Sequence, residues 1–347
     1  MERKIPIQNI YYMLCYSWDS LEEKDIVQVS DIENTELIDL FAKVLIGGTN
    51  DLIRRGFDRK YLCVNDELSV IKGKINFNNT YKKRLLQKGK ISAEFDDLSH
   101  NILHNQIIKT TIKHLINCEE LNYELKDRLT GLYKYFRDID EIRLNSKVFK
   151  NVILHRNNQY YKFLMNICEI VYENLLIDEK TGDLKFQDFE RDEKKMWKLF
   201  QNFVYNFYKR EQKVFSVRRE NIYWNDELKR SYDAKFLPKM ETDITLFSNT
   251  KKIIIDTKYS KTTLSDHKKV KSENLYQLFS YLKNVEIKGG INKCCEGMLL
   301  YPQIEESFDL EYHIQGHRIL IKTVDLNQDW KLIYRRLLAI IGVDKQI

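Results

Sequence analysis

Proline is almost absent from this chain: Pro6, Pro238 and Pro302 are the only three in 347 residues, and glycine is sparse at 12. Long flexible or polyproline linkers and low-complexity tails are thereby excluded, and no internal repeat is visible. Long apolar runs are missing too, since none approaches the roughly 20 residues that span a bilayer. The opening MERKIPIQNIYYMLCYSW lacks a secretory hydrophobic region, because Asn9, two tyrosines and Ser17 interrupt it. The expectation is a cytoplasmic protein with no membrane partner. The six cysteines (Cys15, Cys63, Cys118, Cys168, Cys294, Cys295) form no CxxC pair and no Cys/His ligand spacing. That argues against zinc and for reduced thiols. No GxxxxGK followed by Ser or Thr occurs, so the chain carries no phosphate loop of a nucleotide motor.

A large excess of either charge is missing as well. Lys plus Arg number 57 against 51 Asp plus Glu, a formal net charge of +6. This permits a nucleic-acid partner, which needs only a local basic stripe, without requiring one. What the chain does have is 43% hydrophobic and 31% charged residues, the balance of a globular protein with real cores. Its length suits two domains.

Hydrophobic periodicity divides the chain. ELIDLFAKVLIGGT (35 to 48) has helical spacing and is expected to stop at Gly47-Gly48. Short strand-like pieces follow between 49 and 77, among them KYLCVND and IKGKINF, with Gly73 permitting a tight backbone. Amphipathic helices are predicted over about 99 to 118 and near 120 to 136. Residues 137 to 157 lose periodicity, and the domain junction is placed there: 1–150 a mixed α+β N-terminal domain, 151–347 a second domain. Within the latter, helices are read at 160 to 177 and about 191 to 211. Strands follow at VFSVRR, NIYWN, TDITLF, KKIIIDTKYS, GMLLYP and RILIKTVDL, with the helix ENLYQLFSYLKN between the fourth and fifth. The fold class is therefore α/β, a mixed sheet flanked by helices.

Chemistry concentrates in METDITLFSNTKKIIIDTKYS, residues 240 to 260. Ile253-Ile254-Ile255 is a β-branched run suited to a central strand. Asp256 and Lys258, two apart, project from one face of it. The short SNTKK makes a hairpin that sets Asp243 beside Asp256. Two carboxylates together on a buried strand are costly unless a cation neutralises them. Hard oxygen ligands suit Mg²⁺, so Asp243 and Asp256 are the candidate metal ligands. Lys258 would hold or deprotonate an attacking water and stabilise the pentavalent phosphate in phosphodiester hydrolysis. Asp-x-Lys alone is unspecific; it also occurs at Asp58–Lys60, Asp178–Lys180, Asp183–Lys185, Asp192–Lys194 and Asp233–Lys235, in polar or helical contexts where a solvated pair suffices. Gln277 and Tyr281 share one face of the following helix and would point either at the site or at a DNA phosphate. Alternatively, Tyr276, Leu278, Phe279 and Leu282 pack the core while Gln277 lies on a polar edge. His100 and His104 have ligand spacing on a helix but no third ligand, and are read as a polar face.

The order carboxylate, hairpin, Asp-x-Lys, Gln-bearing helix resembles the PD-(D/E)xK nuclease superfamily, with Thr242-Asp243 in the position of its Pro-Asp. Many members of that superfamily add an acid from the preceding helix. Glu190, Glu193 and Glu211 are candidates here, but mid-helix the residue is Gln201. More specifically, IPIQNIYYMLCYSW, RRGFDRKYL, IKGKINF, FDDLSHNILHNQIIK, YYKFLMNICEIVYENLL, DFERDEKKM, METDITL, IIIDTKYS and NLYQLFSYL resemble the McrC family nearly end to end. McrC proteins are the nuclease subunits of McrBC modification-dependent restriction systems. The resemblance implies that Asp243, Asp256 and Lys258 are the cleavage centre; with Gln277 from the following helix they make the candidate catalytic set, and Mg²⁺ is the expected cofactor. It implies as partners an McrB-like AAA+ GTPase ring and double-stranded DNA containing modified cytosine, with the ring bound through the N-terminal half. The pieces around Arg54-Arg55-Gly56 and Ile71 to Phe77 would form an element entering the ring pore. Arg54 and Arg55 would either approach the GTP site or form surface salt bridges. Two other readings stay open: a catalytically silent activator of the GTPase, and a stand-alone repair nuclease.

Overall fold

The computed structural model describes residues 5–26, 36–177, 184–189, 192–224, 235–260, 269–304 and 306–343. The chain forms two compact units. One joins Met1–Thr35 to Asp188–Ile347, and the other is Glu36–Gln187. This differs from the expected junction at residue 150. The first helix, α1 (Ile7–Ser17), explains the N-terminal part of the difference. Its Tyr16 ring packs on Phe203 and Phe207, its Tyr16 hydroxyl donates to Glu211 Oε1 at 2.9 Å, and Asn9 donates to the Leu326 carbonyl. These partners lie about 200 and 300 residues away in sequence, a distance that periodicity does not register.

The inserted unit begins with α2 (Leu37–Arg55). It runs straight through Gly47-Gly48, because Gly48 lets Leu164 approach: a Cβ there would sit 2.4 Å from Leu164 Cδ2. The helix ends instead at Gly56, whose φ of 84° is left-handed. Next come β1 (Lys60–Leu68), β2 (Lys74–Ile75), α3 (Phe77–Lys82) and β3 (Ile91–Ser99). The strands form an antiparallel sheet in the order β1-β3-β2, with Lys60 opposite Ser99 and Leu68 opposite Ile91. Gly73 does make a tight approach: its φ is 69°, and a Cβ would meet Glu94 O at 2.2 Å. Strand β3 alternates only over Ile91, Ala93 and Phe95 before the acidic pair Asp96-Asp97 breaks the pattern, and it was not read from the sequence. Helices α4 (Leu103–Ile116), α5 (Tyr123–Tyr133), α6 (Ser146–Lys150) and α7 (Tyr161–Asn174) follow, then the hairpin β4 (Leu175–Ile177) and β5 (Leu184–Phe186). Helix α7 packs against α2 and α4, which keeps residues 151 to 187 in this unit.

The other unit continues with α8 (Glu193–Glu211), capped by the Asp192 side chain on the Lys194 and Lys195 amides. Strands β6 (Ser216–Arg218), β7 (Asn221–Ile222), β8 (Met240–Glu241), β9 (Ile244–Phe247) and β10 (Lys252–Thr257) precede α9 (Ser272–Glu286). Then come β11 (Glu296–Pro302), β12 (Asp309–Ile314), β13 (His317–Val324) and α10 (Trp330–Ile340). The main sheet has the order β12-β13-β11-β10-β9-β6. It is mixed: β10, β11 and β13 run parallel, while β9 and β12 are antiparallel to their neighbours. Helix α9 supplies the crossover that a parallel β10–β11 pair requires. It comes close to β11 because Gly297 has no side chain; a Cβ would lie 2.8 Å from Leu282 Cδ1. The charged edge strand β12 and the helix α10 were not legible in the sequence, nor were α1 and the short β8. Among the described residues, no helix is long and apolar enough to cross a membrane.

Candidate active site

The hairpin expected around SNTKK is present. Phe247 pairs with Lys252 and Ile244 with Ile255 in antiparallel register. One step beyond the Ile244–Ile255 pair lie Asp243 and Asp256, and opposed residues of such a pair project from the same face. Ile253, Ile254 and Ile255 are fully buried, so β10 delivers Asp256 from inside the sheet. Asp256 is only 2% exposed. Burial pushes its carboxyl up to about 6; Lys258 works against that rise and Asp243 adds to it.

Lys258, just after β10, is held in place by a backbone bond from its amide to the Leu300 carbonyl on β11, at 2.9 Å. Its ammonium stands 2.8 Å from Asp256 Oδ2 and donates to Gln277 Oε1 at 2.7 Å. The contact with Asp256 is charge-assisted and opposes the rise that burial imposes on that carboxyl. Gln277 in turn donates to the Tyr281 hydroxyl at 2.7 Å, one helical turn on. Gln277 therefore reaches the site, and Tyr281 is buried behind it. Of the residues weighed for core packing, Leu278 and Leu282 are buried, whereas Tyr276 is exposed.

Asp243 is fixed from three directions. Its Oδ2 accepts the Thr257 amide at 2.8 Å and the Thr257 hydroxyl at 2.7 Å, and its Oδ1 accepts from Gln201 Nε2. Helix α8 makes a second contact one turn earlier, where Trp197 Nε1 donates to the Thr257 carbonyl at 2.9 Å. Thr257 and Trp197 were not singled out from the sequence. The only available signal was that Thr257 lies between the two functional residues. Beside Lys258, a cleft of about 240 Å³ is lined by Trp197, Tyr259, Ser260, Lys271, Glu273 and Asn274.

The donor set suits a divalent cation. Asp243 and Asp256 are both buried and interact electrostatically, with one ammonium beside them, and Mg²⁺ typically takes one or two carboxylates plus water. Among the described residues, no three His, Cys, Asp or Glu side chains converge. Of the acids considered for a further ligand, Glu211 is excluded by its place: both of its oxygens accept phenol hydroxyls, from Tyr16 and Tyr334. Glu193 is exposed on the first turn of α8, eight residues before Gln201, or about 12 Å along the axis. Glu190 lies outside the described residues, as do Asp178, Lys180, Asp183 and Asp233 of the unspecific Asp-x-Lys pairs.

A family model described as "McrBC 5-methylcytosine restriction system component" matches residues 4–302. The chain belongs to the McrBC family. The type IV methyl-directed restriction enzyme EcoKMcrBC of Escherichia coli strain K12 is 36% identical to this McrBC chain over 339 residues, which is 97% of each. A solved structure is similar in fold, with a TM-score of 0.61 at 18% identity, covering 97% of this chain and 76% of the other. It is a half-complex from a tetradecameric assembly of Thermococcus gammatolerans McrB AAA+ hexamers with bound McrC. The resemblance drawn from the sequence segments thus holds over nearly the whole length.

Elsewhere in the McrBC chain, the two histidines are not a polar helix face. His104 is 7% exposed, packs against the Tyr161 ring and places Nε2 3.0 Å from Asp58 Oδ2. His100 precedes α4 and keeps a buried Nδ1 with no hydrogen-bond partner. Arg54 pairs with Asp51 on the same helix, and Arg55 lies over the Tyr160 ring at 5.3 Å. Among the described residues, no cysteine is joined in a disulfide.

Proposed function

We propose that this chain is the DNA-cleaving subunit of a modified-cytosine-dependent restriction system, a Mg²⁺-dependent endonuclease of PD-(D/E)xK type. The observation that carries the reading is the convergence of Asp243, Asp256, Lys258 and Gln277 at the end of one interior strand. Asp243 and Asp256 would hold the cation. When bound, Mg²⁺ supplies charge stabilisation on the phosphate and lowers the pKa of a water. Lys258, held between Asp256 and Gln277, orients the attacking water and donates to the phosphate oxygen on which charge develops. Gln277 fixes the ammonium through its carbonyl, and Tyr281 fixes Gln277. Thr257 keeps Asp243 turned toward Asp256.

The partner in this reading is an AAA+ GTPase ring, as in the solved assembly of McrB hexamers with bound McrC, and the substrate is double-stranded DNA containing modified cytosine. Support for a docking face comes from the inserted unit. Val70 and Ile71 (each 74% exposed), in the connection between β1 and β2, and Phe77 (63%), at the start of α3, are more apolar surface than a solvated loop needs. Arg54 and Arg55 already have partners on their own unit, so the apolar residues are the better candidates for ring contact.

The experiment combines the chain with its co-encoded GTPase, GTP, Mg²⁺ and methylated or unmethylated plasmid. Double-strand cuts on methylated DNA only, reduced about 10²–10³-fold or more in Lys258→Ala, are expected. GTPase stimulation with either version but no cutting by the native chain would replace this reading with that of a silent activator. Cutting without the partner would replace it with that of a stand-alone nuclease.

A further inference from the structure

Between Glu141 and Glu169 the chain carries no acidic residue, while Arg143, Lys147, Lys150, Arg156 and Lys162 all fall in that interval. These five are exposed, and none makes an ion pair among the described residues. The segment is nonetheless firmly anchored. Leu144, Phe149 and Asn158 are buried, and the Asn145 side chain caps α6 by accepting the Lys147 and Val148 amides. The Phe149 ring packs on Tyr172 near the end of α7, at 5.6 Å between centroids. From there the chain returns to Tyr161 at the start of α7, so it spans about 17 Å of that helix. We propose that this acid-free strip of the inserted unit binds the phosphate backbone of double-stranded DNA. The proposal rests on the DNA-cleaving reading above.

Charge, spacing and texture each favour DNA. A duplex rises about 3.4 Å per base pair, so a path of about 17 Å runs past about five base pairs of backbone, and each cation can find a phosphate. Several cations gathered without an acid repel one another, and a polyanion relieves that repulsion. The exposed amides of Asn151 and Asn157 add donors suited to phosphate oxygens. Protein–protein patches have a different make-up, with centres that are apolar and poor in charge, whereas DNA-binding surfaces are polar and positive. The inserted unit contains both kinds. Its other acid-free stretch, between Glu67 and Glu94, is also basic, but there Lys83 pairs with Glu67, Lys72 pairs with Asp97, and Val70, Ile71 and Phe77 are exposed. That mixed surface fits a protein partner. The strip, whose one large exposed apolar side chain is Ile153, fits a polyanion. Backbone contacts carry no sequence information, so methylated and unmethylated duplexes should bind the strip equally.

Binding is read by fluorescence anisotropy of a short labelled duplex titrated with the full-length chain in EDTA, over a series of NaCl concentrations. The plot of log affinity against log salt loses about 0.9 of slope for each phosphate contact removed. Arg143→Gln/Lys147→Gln/Lys150→Gln/Arg156→Gln should therefore flatten it by about 3–4 and weaken binding at physiological salt at least about 100-fold. A control with equal charge loss at exposed positions of the other unit, Lys288→Gln/Lys293→Gln/Lys331→Gln/Arg335→Gln, should change the slope by less than about 1. Methylation of the duplex should alter neither value. Circular dichroism melting identifies a variant that fails to fold; Lys147→Gln/Lys150→Gln, with an expected loss of about 1.8 in slope, then carries the test. Native affinity and slope in the folded strip variant, or an equal loss in the control, would overturn the proposal. Native DNA binding together with lost GTPase stimulation would overturn it too, by assigning the strip to the protein partner. Cutting of methylated plasmid with the GTPase present separates the two levels. If the strip variant binds DNA normally and the native chain cuts, only the strip falls. If the strip variant loses DNA binding but the native chain does not cut, the surface stands and the cleavage reading falls.

Discussion

Thr257 shows how much of this site depends on residues that have no chemistry of their own. It gives Asp243 two hydrogen bonds, one from the backbone and one from the side chain, and only the second can be removed by mutation. Thr257→Val keeps the shape of the strand and deletes the hydroxyl bond. Its expected effect is a rise in the Mg²⁺ concentration needed for half-maximal cleavage, by about 10-fold, with Thr257→Ser restoring the native value. An unchanged Mg²⁺ requirement in Thr257→Val would show that the amide bond alone suffices. Gln277→Ala tests the other support. Lys258 would lose its carbonyl partner, and cleavage is expected to fall by about 10²-fold while GTPase stimulation persists. At this scale, Asp256 and Lys258 were legible because a wholly apolar strand leads into them. Thr257 and Gln201 were not, because a threonine in a strand and a glutamine in a helix are ordinary until something faces them.

Elements were legible where their hydrophobic pattern is strong and local. The hairpin β9–β10, the helix α9 and the long helices α7 and α8 all come from such patterns. Strand β3 was not legible, because its apolar alternation spans only Ile91, Ala93 and Phe95 before Asp96-Asp97 interrupts it. Helix α2 was read as ending too early for a different reason: Gly47-Gly48 is a stop signal in isolation but here serves the contact with Leu164. Gly73 separates the two uses of glycine. Gly73→Ala is expected to destabilise the β1–β3–β2 sheet by about 1–3 kcal/mol, since it combines a left-handed φ with a backbone oxygen in the way. Gly89→Ala has a similar φ (66°) but nothing within 4 Å, and should cost only the left-handed penalty of about 1–2 kcal/mol. Urea melts of the two variants compare them directly; equal losses would mean that the contact with Glu94 relaxes freely. Beside that sheet, in the β1–β2 connection and at the start of α3, Ile71→Asp and Phe77→Asp are expected to abolish binding to the GTPase ring with little change in thermal stability, as both side chains are exposed. Retained ring binding in pull-down would move the docking face elsewhere.

For the whole molecule, part of the response to acid has its source in the inserted unit. In the inserted unit, burial holds His104 and His114 below their ordinary 6.5, with Asp58 partly opposing the shift at His104. A depressed histidine is neutral in the folded state and gains its proton more readily when unfolded. Its stabilisation is therefore present above pH 6.5 and is lost as pH falls below that value toward the folded pKa. Hydrogen exchange at α4 amides is expected to accelerate, beyond the intrinsic pH effect, between pH 7.5 and 5.5. His104→Gln should flatten part of that dependence, and no change in it would remove His104 as the cause.

From the sequence alone came the α/β class, the absence of a nucleotide-binding loop and the nuclease-like set on the hairpin. Each depends on short-range pattern, where the two-residue repeat of a strand and the length of a hairpin fix which side chains meet. Tertiary structure alone decided that α1 belongs with the distant C-terminal unit, that Glu36–Gln187 is an insertion, and that Gln201 rather than Glu211 meets Asp243. Those are pairings between residues tens to hundreds of positions apart. They are selected by which apolar faces can bury one another and which buried oxygens still need a partner, and no local period encodes that choice.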